Sequence, residues 1–591
     1  MTDPSAHLSA HLSRQATLAA LDAESFDLAI IGGGITGAGV AREAALAGLR
    51  VALLERDDFA SGTSSRSSRL VHGGVRYLEH GHLALVFESS RERRLLLTLA
   101  PHLVRPLAFT WPVYRGARVP LWKVRAGLTL YDALALFRNA RGHEALSTDD
   151  VLRHEPALRR DQLRGGARYW DAATDDARLT LASALAAREA GAVVVNHVAV
   201  VGGLRAGPGA RLHGVLVEDR LAGASSAGAS RAGASRAGAS FAVRARVVIN
   251  ATGPWSDATG TLTGAITDAA SGTTVRGSAG THIAVLRQRL GNRDAVTVVS
   301  PTDGRVMFVL PAGTHAIIGT TEHPAQQGPD EIRATECDVA YLLKSANAMF
   351  PAAQLTTDDV VAAWAGIRPL AAARAGERSA NTASREHAIT QRADGLISVT
   401  GGKLTTYRAM ADDVVTHARR ALTAAGGPVP SRVVRTAHEA RHASITAVLP
   451  GGDIVSREAL VHDVRATVQD AAAAERLALA YGSRWRHVWD YARREPRLST
   501  RLQDELPYLL AEVPYAIERE MACTFSDLLI RRTHIAFETR DHGRAAAARI
   551  ATMVAACLQW SSTELSQQLA TYEADIVRLF GIDAGTTPST R

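Results

Sequence analysis

Three cysteines stand in 591 residues, Cys337, Cys523 and Cys557, far apart and with no CxxC pair. That argues against a disulfide-built scaffold or a structural zinc site, and no metal is expected. A chain this long buries a large core without such staples. So few thiols suit the cytosolic side of a membrane. Long apolar runs are missing too, since nothing approaches the ~18 residues of a transmembrane helix. The first residues carry His, Ser and Asp without the apolar centre of a secretory signal. Lysine is scarce: of 67 basic residues only Lys123, Lys344 and Lys403 are lysines. Surface charge is therefore written as arginine, and each remaining lysine draws attention as a candidate for specific chemistry.

What is present is ordinary globular composition, 46% hydrophobic and 21% charged, which excludes collagen, long coiled coil and wholesale disorder. The length corresponds to roughly four domain-equivalents of ~150 residues. A net charge of +8 and a pI near 9.6 favour anionic partners: nucleic acid, acidic lipid or phosphorylated substrates. A flavoprotein that binds RNA is one reading of that charge, but no RNA-binding signature with exposed aromatics is present, so no nucleic-acid partner is expected.

Residues 1–24 read as a flexible polar lead-in. Phe26 to Ile31 is a short apolar run of the buried-strand type, followed by a glycine turn, small residues at helical spacing from Ala38 to Ala47, and a second buried strand from Arg50 to Glu55. This is a βαβ opening, the crossover that parallel strands need. Residues 222–241 are four pentapeptides of the type AGASx, too short a period for a solenoid and too poor in apolar residues for a core. They read as a flexible insertion that lengthens a hairpin turn between strands Leu212–Glu218 and Phe241–Ile249. Gly426 to Pro430 marks the best boundary. Residues 25–425 then form a discontinuous two-part body, and residues 431–591 a separate helical domain. Leu477, Tyr481, Trp485 and Val488 recur there at helical spacing, as do Leu528, Arg531, Arg532 and Ile535.

Gly32 allows a tight turn, Gly34 a close approach of backbone to a pyrophosphate, and Gly37 close packing of helix on strand. The helix start offers free N–H groups and partial positive charge to phosphates. Glu55, at the end of the second strand, is placed to accept hydrogen bonds from an adenosine ribose and disfavours a 2′-phosphate. The segment Ser61 to Glu79 is dense in hydroxyls and glycines, and Thr63, Ser64, Ser68, His72 and Gly73 are candidates to line a cofactor tail. Two later turns join them, Asn250 to Trp255 with Gly253, and Gly401 to Arg408 with Gly402, Lys403, Leu404 and Thr405. The helix start in the latter would stabilise negative charge on a reduced flavin, which points to FAD rather than NAD.

The order of these blocks resembles the FAD-dependent, aerobic-type glycerol-3-phosphate dehydrogenases. The segments that carry the resemblance are LAIIGGGITGAG, TSSRSSRLVHGGVRYLEHG, DDARL, NATGPW, AIIGTTE, WAGIRPL and GGKLTTYR, spread over nearly the whole chain. The family usually has Lys where Arg69 stands and Asp where Glu322 stands. The resemblance implies an α/β fold: a Rossmann-like FAD domain of glutathione-reductase type, an interleaved antiparallel substrate sheet, and a helical C-terminal domain. It implies oxidation of sn-glycerol 3-phosphate to dihydroxyacetone phosphate, with electrons passing through FAD to membrane quinone from a peripheral position on the cytoplasmic membrane. A homodimer stays open.

The resemblance places Arg76 and Arg368 at the substrate phosphate, where a guanidinium supplies a planar two-pronged donor. Tyr77 adds a hydroxyl. The competing reading has both arginines paired with core carboxylates. His282 is the first candidate for the base, because imidazole titrates near neutral pH. Lys403 is the rival base, or a cation that holds flavin or substrate oxygen. A packed histidine without a chemical role is the alternative for His282. An FAD-dependent oxidoreductase of amino or 2-hydroxy acids would use the same arginines for a carboxylate. Finally, Trp111 to Arg125 interleaves aromatics with basic residues, which suits either an anionic lipid surface or a core strand with a solvated basic edge.

Overall fold

The computed structural model describes residues 14–136, 139–207, 209–221, 240–264, 275–371, 387–424, 426 and 436–584. The first strand, Ser25–Ile31, is buried after its first residue and lies between parallel neighbours Val51–Leu54 and Phe241–Asn250. Ile397–Gly401 and Val193–Val195 extend this parallel sheet at its two sides. Helices Ile35–Leu46 and Tyr407–Ala424 cover it, and their Ala- and Val-rich faces share a core with its strands. Strands Leu212–Asp219 and Phe241–Asn250 pair antiparallel, Val217 opposite Phe241, as the hairpin reading expects. The repeat itself lies outside the described residues apart from its last two positions.

A second sheet of ten strands stands beside the first. Its longest pair is antiparallel, Val275–Leu286 against Val360–Ala371, with Ser278 opposite Arg368 and His282 opposite Trp364. Arg105–Tyr114 and Leu163–Ala173 form another long pair. The C-terminal residues are mostly helical up to Phe580. Leu477, Tyr481, Trp485 and Val488 are buried together. Further on, Leu528, Phe537 and Phe580 share one apolar cluster with Tyr169 and Trp364 of the second sheet, so this segment is bound to the body by a common core.

Two expectations need correction. The supposed lead-in contains a helix, Arg14–Ala23, held because Arg14 donates to Asp219 Oδ1 at 2.6 Å and to the Asn196 carbonyl at 2.8 Å. The run from Leu528 to Ile535 is no ordinary amphipathic helix but a wider π-helical turn, Asp527–Arg532. Its arginines face inward because Asp58 receives both: Arg531 Nε and Arg532 Nη1 each lie 2.6 Å from Asp58 Oδ2. Burial pushes the Asp58 carboxyl up, yet the two guanidiniums outweigh it and hold it below the usual range. Asp58, His197 and Asp527 come close enough for a metal ion, but Arg531 and Arg532 already neutralise the two acids.

Candidate active site

The glycine turn follows the first strand directly. Gly32 has φ +104, and a Cβ there would stand 2.8 Å from the Ala251 carbonyl oxygen. A Cβ on Gly37 would collide with the Gly32 carbonyl oxygen, so helix and turn close on each other through bare backbone. Glu55 lies beside this turn. Its carboxyl accepts the Gly33 N–H at 2.6 Å and the Asp57 N–H at 2.8 Å. Burial, with the Asp57 charge adding to it, pushes Glu55 up to about 7. Ser64 Oγ accepts the Ile35 N–H at 2.9 Å, at the start of the helix that follows Gly34. Backbone donors at a helix start, a buried carboxyl at the end of the second strand and hydroxyls between them suit a dinucleotide.

The hydroxyl-rich segment is strung between the two sheets. Thr63 Oγ1 donates to the Ile367 carbonyl at 2.6 Å. The His72 N–H donates to Thr405 Oγ1 at 3.1 Å, which ties this segment to the turn at Gly402. The Gly73 N–H donates to Asp171 Oδ1 at 3.0 Å. Gly402 has φ +80, and a Cβ there would meet Met410 Sδ. Gly253 has φ +56 and opens a short 3-10 turn, Gly253–Trp255. Leu404 and Thr405 lie in another such turn, Leu404–Thr406, ahead of helix Tyr407–Ala424.

His282 and Arg368 come together on the paired long strands. Ser68 Oγ lies 2.9 Å from His282 Nε2. The imidazole stacks on Trp364, ring centres 5.6 Å apart. Burial, then the Arg368 and Arg69 charges, push His282 down to about 3. The expectation of an imidazole that titrates near neutrality is therefore corrected: the ring is uncharged throughout the physiological range. Arg368 Nη2 donates to Thr320 Oγ1 at 2.9 Å, and Nη1 reaches Ser278 Oγ at 3.4 Å. It also reaches the Ala279 and Thr321 carbonyl oxygens, at 3.5 and 3.4 Å. Lys403 forms a second group with Tyr77, its Nζ 3.8 Å from the centre of that ring. The segment from Ser68 to Tyr77 links the two groups. The Arg76 side chain lies outside what the structure describes.

Sequence reasoning missed the residues that make room. A Cβ on Gly280 would meet Arg368 Nη2, and one on Gly319 would meet the His282 ring. Thr320 and Trp364 lay inside recognised blocks, but only the strand register reveals their partners. His534 was missed as well; its Nε2 pairs with Asp175 Oδ2 at 2.9 Å beside Arg69.

Comparison with known proteins identifies the family. The FAD dependent oxidoreductase family matches residues 27–408, and the C-terminal domain of alpha-glycerophosphate oxidase matches residues 444–565. The glycerol-3-phosphate dehydrogenase of Synechocystis sp. is 35% identical over 560 residues, covering 93% of this chain and 96% of that protein. The mitochondrial glycerol-3-phosphate dehydrogenase of Homo sapiens is 36% identical over 582 residues, covering 95% of this chain and 74% of its own. The glycerol-3-phosphate dehydrogenase from Bacillus halodurans, solved complexed with FAD, superposes with a TM-score of 0.74 at 28% identity, covering 96% of this chain and 98% of that one. The cofactor is FAD, and likeness that spans both the cradle and the C-terminal helices shows that the chain belongs to the FAD-dependent glycerol-3-phosphate dehydrogenases.

Proposed function

We propose that the protein oxidises sn-glycerol 3-phosphate to dihydroxyacetone phosphate and passes the electrons to membrane quinone. The observation that carries the reading is the pairing of Arg368, a fixed two-pronged cation, with an uncharged His282 on the adjoining strand. The arginine would grip the phosphate, and the relatives' names supply glycerol 3-phosphate as the substrate. Bound FAD supplies the hydride acceptor. His282 takes the proton of the C2 hydroxyl. A base held as low as about 3 is weak in the free protein, largely because burial and two cations oppose its protonation. A phosphate dianion at Arg368 offsets one of those cations, so substrate binding itself strengthens the base. Lys403, over the Tyr77 ring, would hold negative charge that develops on the substrate oxygen. Arg76 keeps the phosphate role that the family resemblance gives it.

An anionic lipid surface is the second partner we propose. The segment with interleaved aromatic and basic residues divides in the structure: Trp111 is buried in a strand, whereas Trp122 is 71% exposed on helix Leu121–Leu134. Leu130 on that helix, and Leu83 and Phe87 on the helix Leu83–Leu99 packed against it, are exposed too. Arg115, Arg118 and Lys123 stand at the start of the exposed run. Exposed aromatic and aliphatic side chains beside cations suit a lipid headgroup layer. Among the described residues no helix is long and apolar enough to cross a membrane.

The test is an anaerobic visible spectrum. Glycerol 3-phosphate should bleach the flavin and yield dihydroxyacetone phosphate in equal amount, and a soluble quinone should restore the colour. A flavin bleached by amino or 2-hydroxy acids but not by glycerol 3-phosphate would overturn the reading.

A further inference from the structure

His282 is buried and uncharged, so one ring nitrogen carries a proton and the other a lone pair. Nε2 has a partner in Ser68 Oγ at 2.9 Å. Nδ1 is buried and meets no hydrogen-bond partner among the described residues. Of the two tautomers, one leaves Nδ1–H as an orphaned buried donor, an arrangement that folded proteins rarely contain. The other has Nε2–H donating to Ser68 Oγ and leaves Nδ1 as an acceptor whose missing donor an alcohol substrate would supply. Trp364 covers one face of the ring, and Gly319 backs its Cδ2–Nε2 edge.

The residues on either side of Ser68 are held firmly. The neighbouring Ser67 hydroxyl donates to Asp176 Oδ2 at 2.6 Å. Arg69, at φ +53, is in the left-handed region, uncommon for a residue with a side chain. Its N–H donates to Ser67 Oγ at 3.0 Å, and its carbonyl accepts the Thr174 N–H at 2.9 Å. The Arg69 guanidinium lies over Phe537, 5.1 Å from the ring centre, and its Nη2 is 3.4 Å from His534 Nδ1. The turn that presents Ser68 is thus anchored from the body on one side and from the C-terminal segment on the other.

We propose that Ser68 is a positioning residue that fixes the tautomer of His282, leaving Nδ1 as the atom that takes the substrate's proton. The C2–OH proton passes to Nδ1, the ring becomes doubly protonated, and Nε2–H stays on Ser68 throughout, its hydrogen bond stabilising the charge that forms. The hydride leaves C2 for the flavin, so a two-electron oxidation and one proton transfer balance. This inference rests on the proposed oxidation of glycerol 3-phosphate.

The experiment is anaerobic stopped-flow reduction of the FAD-loaded full-length chain by glycerol 3-phosphate. Ser68→Ala should keep its flavin and its apparent substrate affinity while the limiting reduction rate falls roughly ten- to a hundred-fold. Ser68→Thr, which restores a hydroxyl, should recover most of the rate. Wild-type reduction rate in Ser68→Ala would overturn the proposal. So would equal slowing in the Ala and Thr variants, or loss of rate in step with loss of flavin, which would make Ser68 a cofactor contact only. A wild-type flavin that glycerol 3-phosphate fails to reduce would overturn the functional reading and this inference with it, and that failure is visible before any variant is made.

Discussion

The phosphate grip assigned to Arg368 is tested by Arg368→Lys. The guanidinium sits in a cradle shaped for a fork. Nη2 donates to Thr320 Oγ1 at 2.9 Å, Nη1 reaches Ser278 Oγ at 3.4 Å, and Gly280 is bare because a Cβ there would meet Nη2. Lysine keeps the charge but offers one ammonium in place of two parallel donors. Loss of one charge-assisted hydrogen bond is worth ~1.5–3 kcal/mol, so kcat/KM for glycerol 3-phosphate should fall roughly ten- to a hundred-fold. Arg368→Ala should do more damage, since it also removes the cation. Flavin content and Tm should stay near wild type in the Lys variant, because lysine keeps the positive charge and can still donate to the Thr320 and Ser278 hydroxyls. Plain glycerol has no phosphate to grip. The decisive quantity is therefore kcat/KM for glycerol 3-phosphate divided by that for glycerol, which should fall sharply in the variant. An unchanged ratio together with a collapsed Tm would make Arg368 a residue of the fold and move the phosphate site elsewhere.

Glu55→Ala deprives the Gly33 and Asp57 N–H groups of their acceptor and removes the proposed ribose partner; FAD retention should weaken roughly ten- to a hundred-fold, while turnover at saturating FAD changes little, and a wild-type flavin ratio after exhaustive dialysis would refute the assignment. Asp58→Asn leaves two buried guanidiniums short of a charge, a loss of ~3–5 kcal/mol in comparable buried pairs, to be read as a clearly lower Tm of the FAD-loaded protein. His282 is held neutral down to about 3; only a fall of pH through that value would protonate it in the free protein, so kcat/KM should show no imidazole limb near neutrality, and any acid limb should track the substrate phosphate. Trp122→Ser should weaken binding to vesicles that contain anionic lipid without altering flavin reduction in solution, as measured by co-sedimentation; unchanged sedimentation would remove this helix from the proposed lipid surface.

The cofactor half of the site was legible because its chemistry is local in the chain. Strand, glycine turn, helix and second strand follow one another within thirty residues, and the acid that closes the turn, Glu55, ends that same unit. Bare backbone at Gly32 and Gly37 is a constraint that a sequence states directly, since no other residue fits against Ala251 or the Gly32 carbonyl. The oxidation half is different. Arg368 could be named from a recognised block and His282 from its imidazole chemistry, but what makes them chemical is non-local: Ser68 from the segment after the first unit, Arg368 from a strand more than eighty positions away, and Trp364 across the ladder. Sequence reasoning took His282 as an imidazole that titrates near neutral pH, whereas burial and the neighbouring Arg368 and Arg69 push it down.

The C-terminal helices illustrate the same limit from the opposite side. Leu528, Arg531, Arg532 and Ile535 have helical spacing, and spacing alone cannot say whether an arginine on that stripe meets water or an acid. Asp58, fully buried three positions after Glu55, decides the matter. An unpaired carboxylate there would be untenable, so the segment must widen into a π-turn and bring two guanidiniums inward. Arg178 repeats the pattern, donating to Glu520 Oε1 at 2.6 Å from a helix that begins at Asp176. Asp175 caps that helix and also pairs with His534. The acids that close onto the C-terminal segment thus lie close in the chain to Glu55 and, through Asp176, to the turn that carries Ser68. Asp58→Asn should therefore loosen flavin along with the fold, and a lowered Tm with an unchanged flavin content would refute that link.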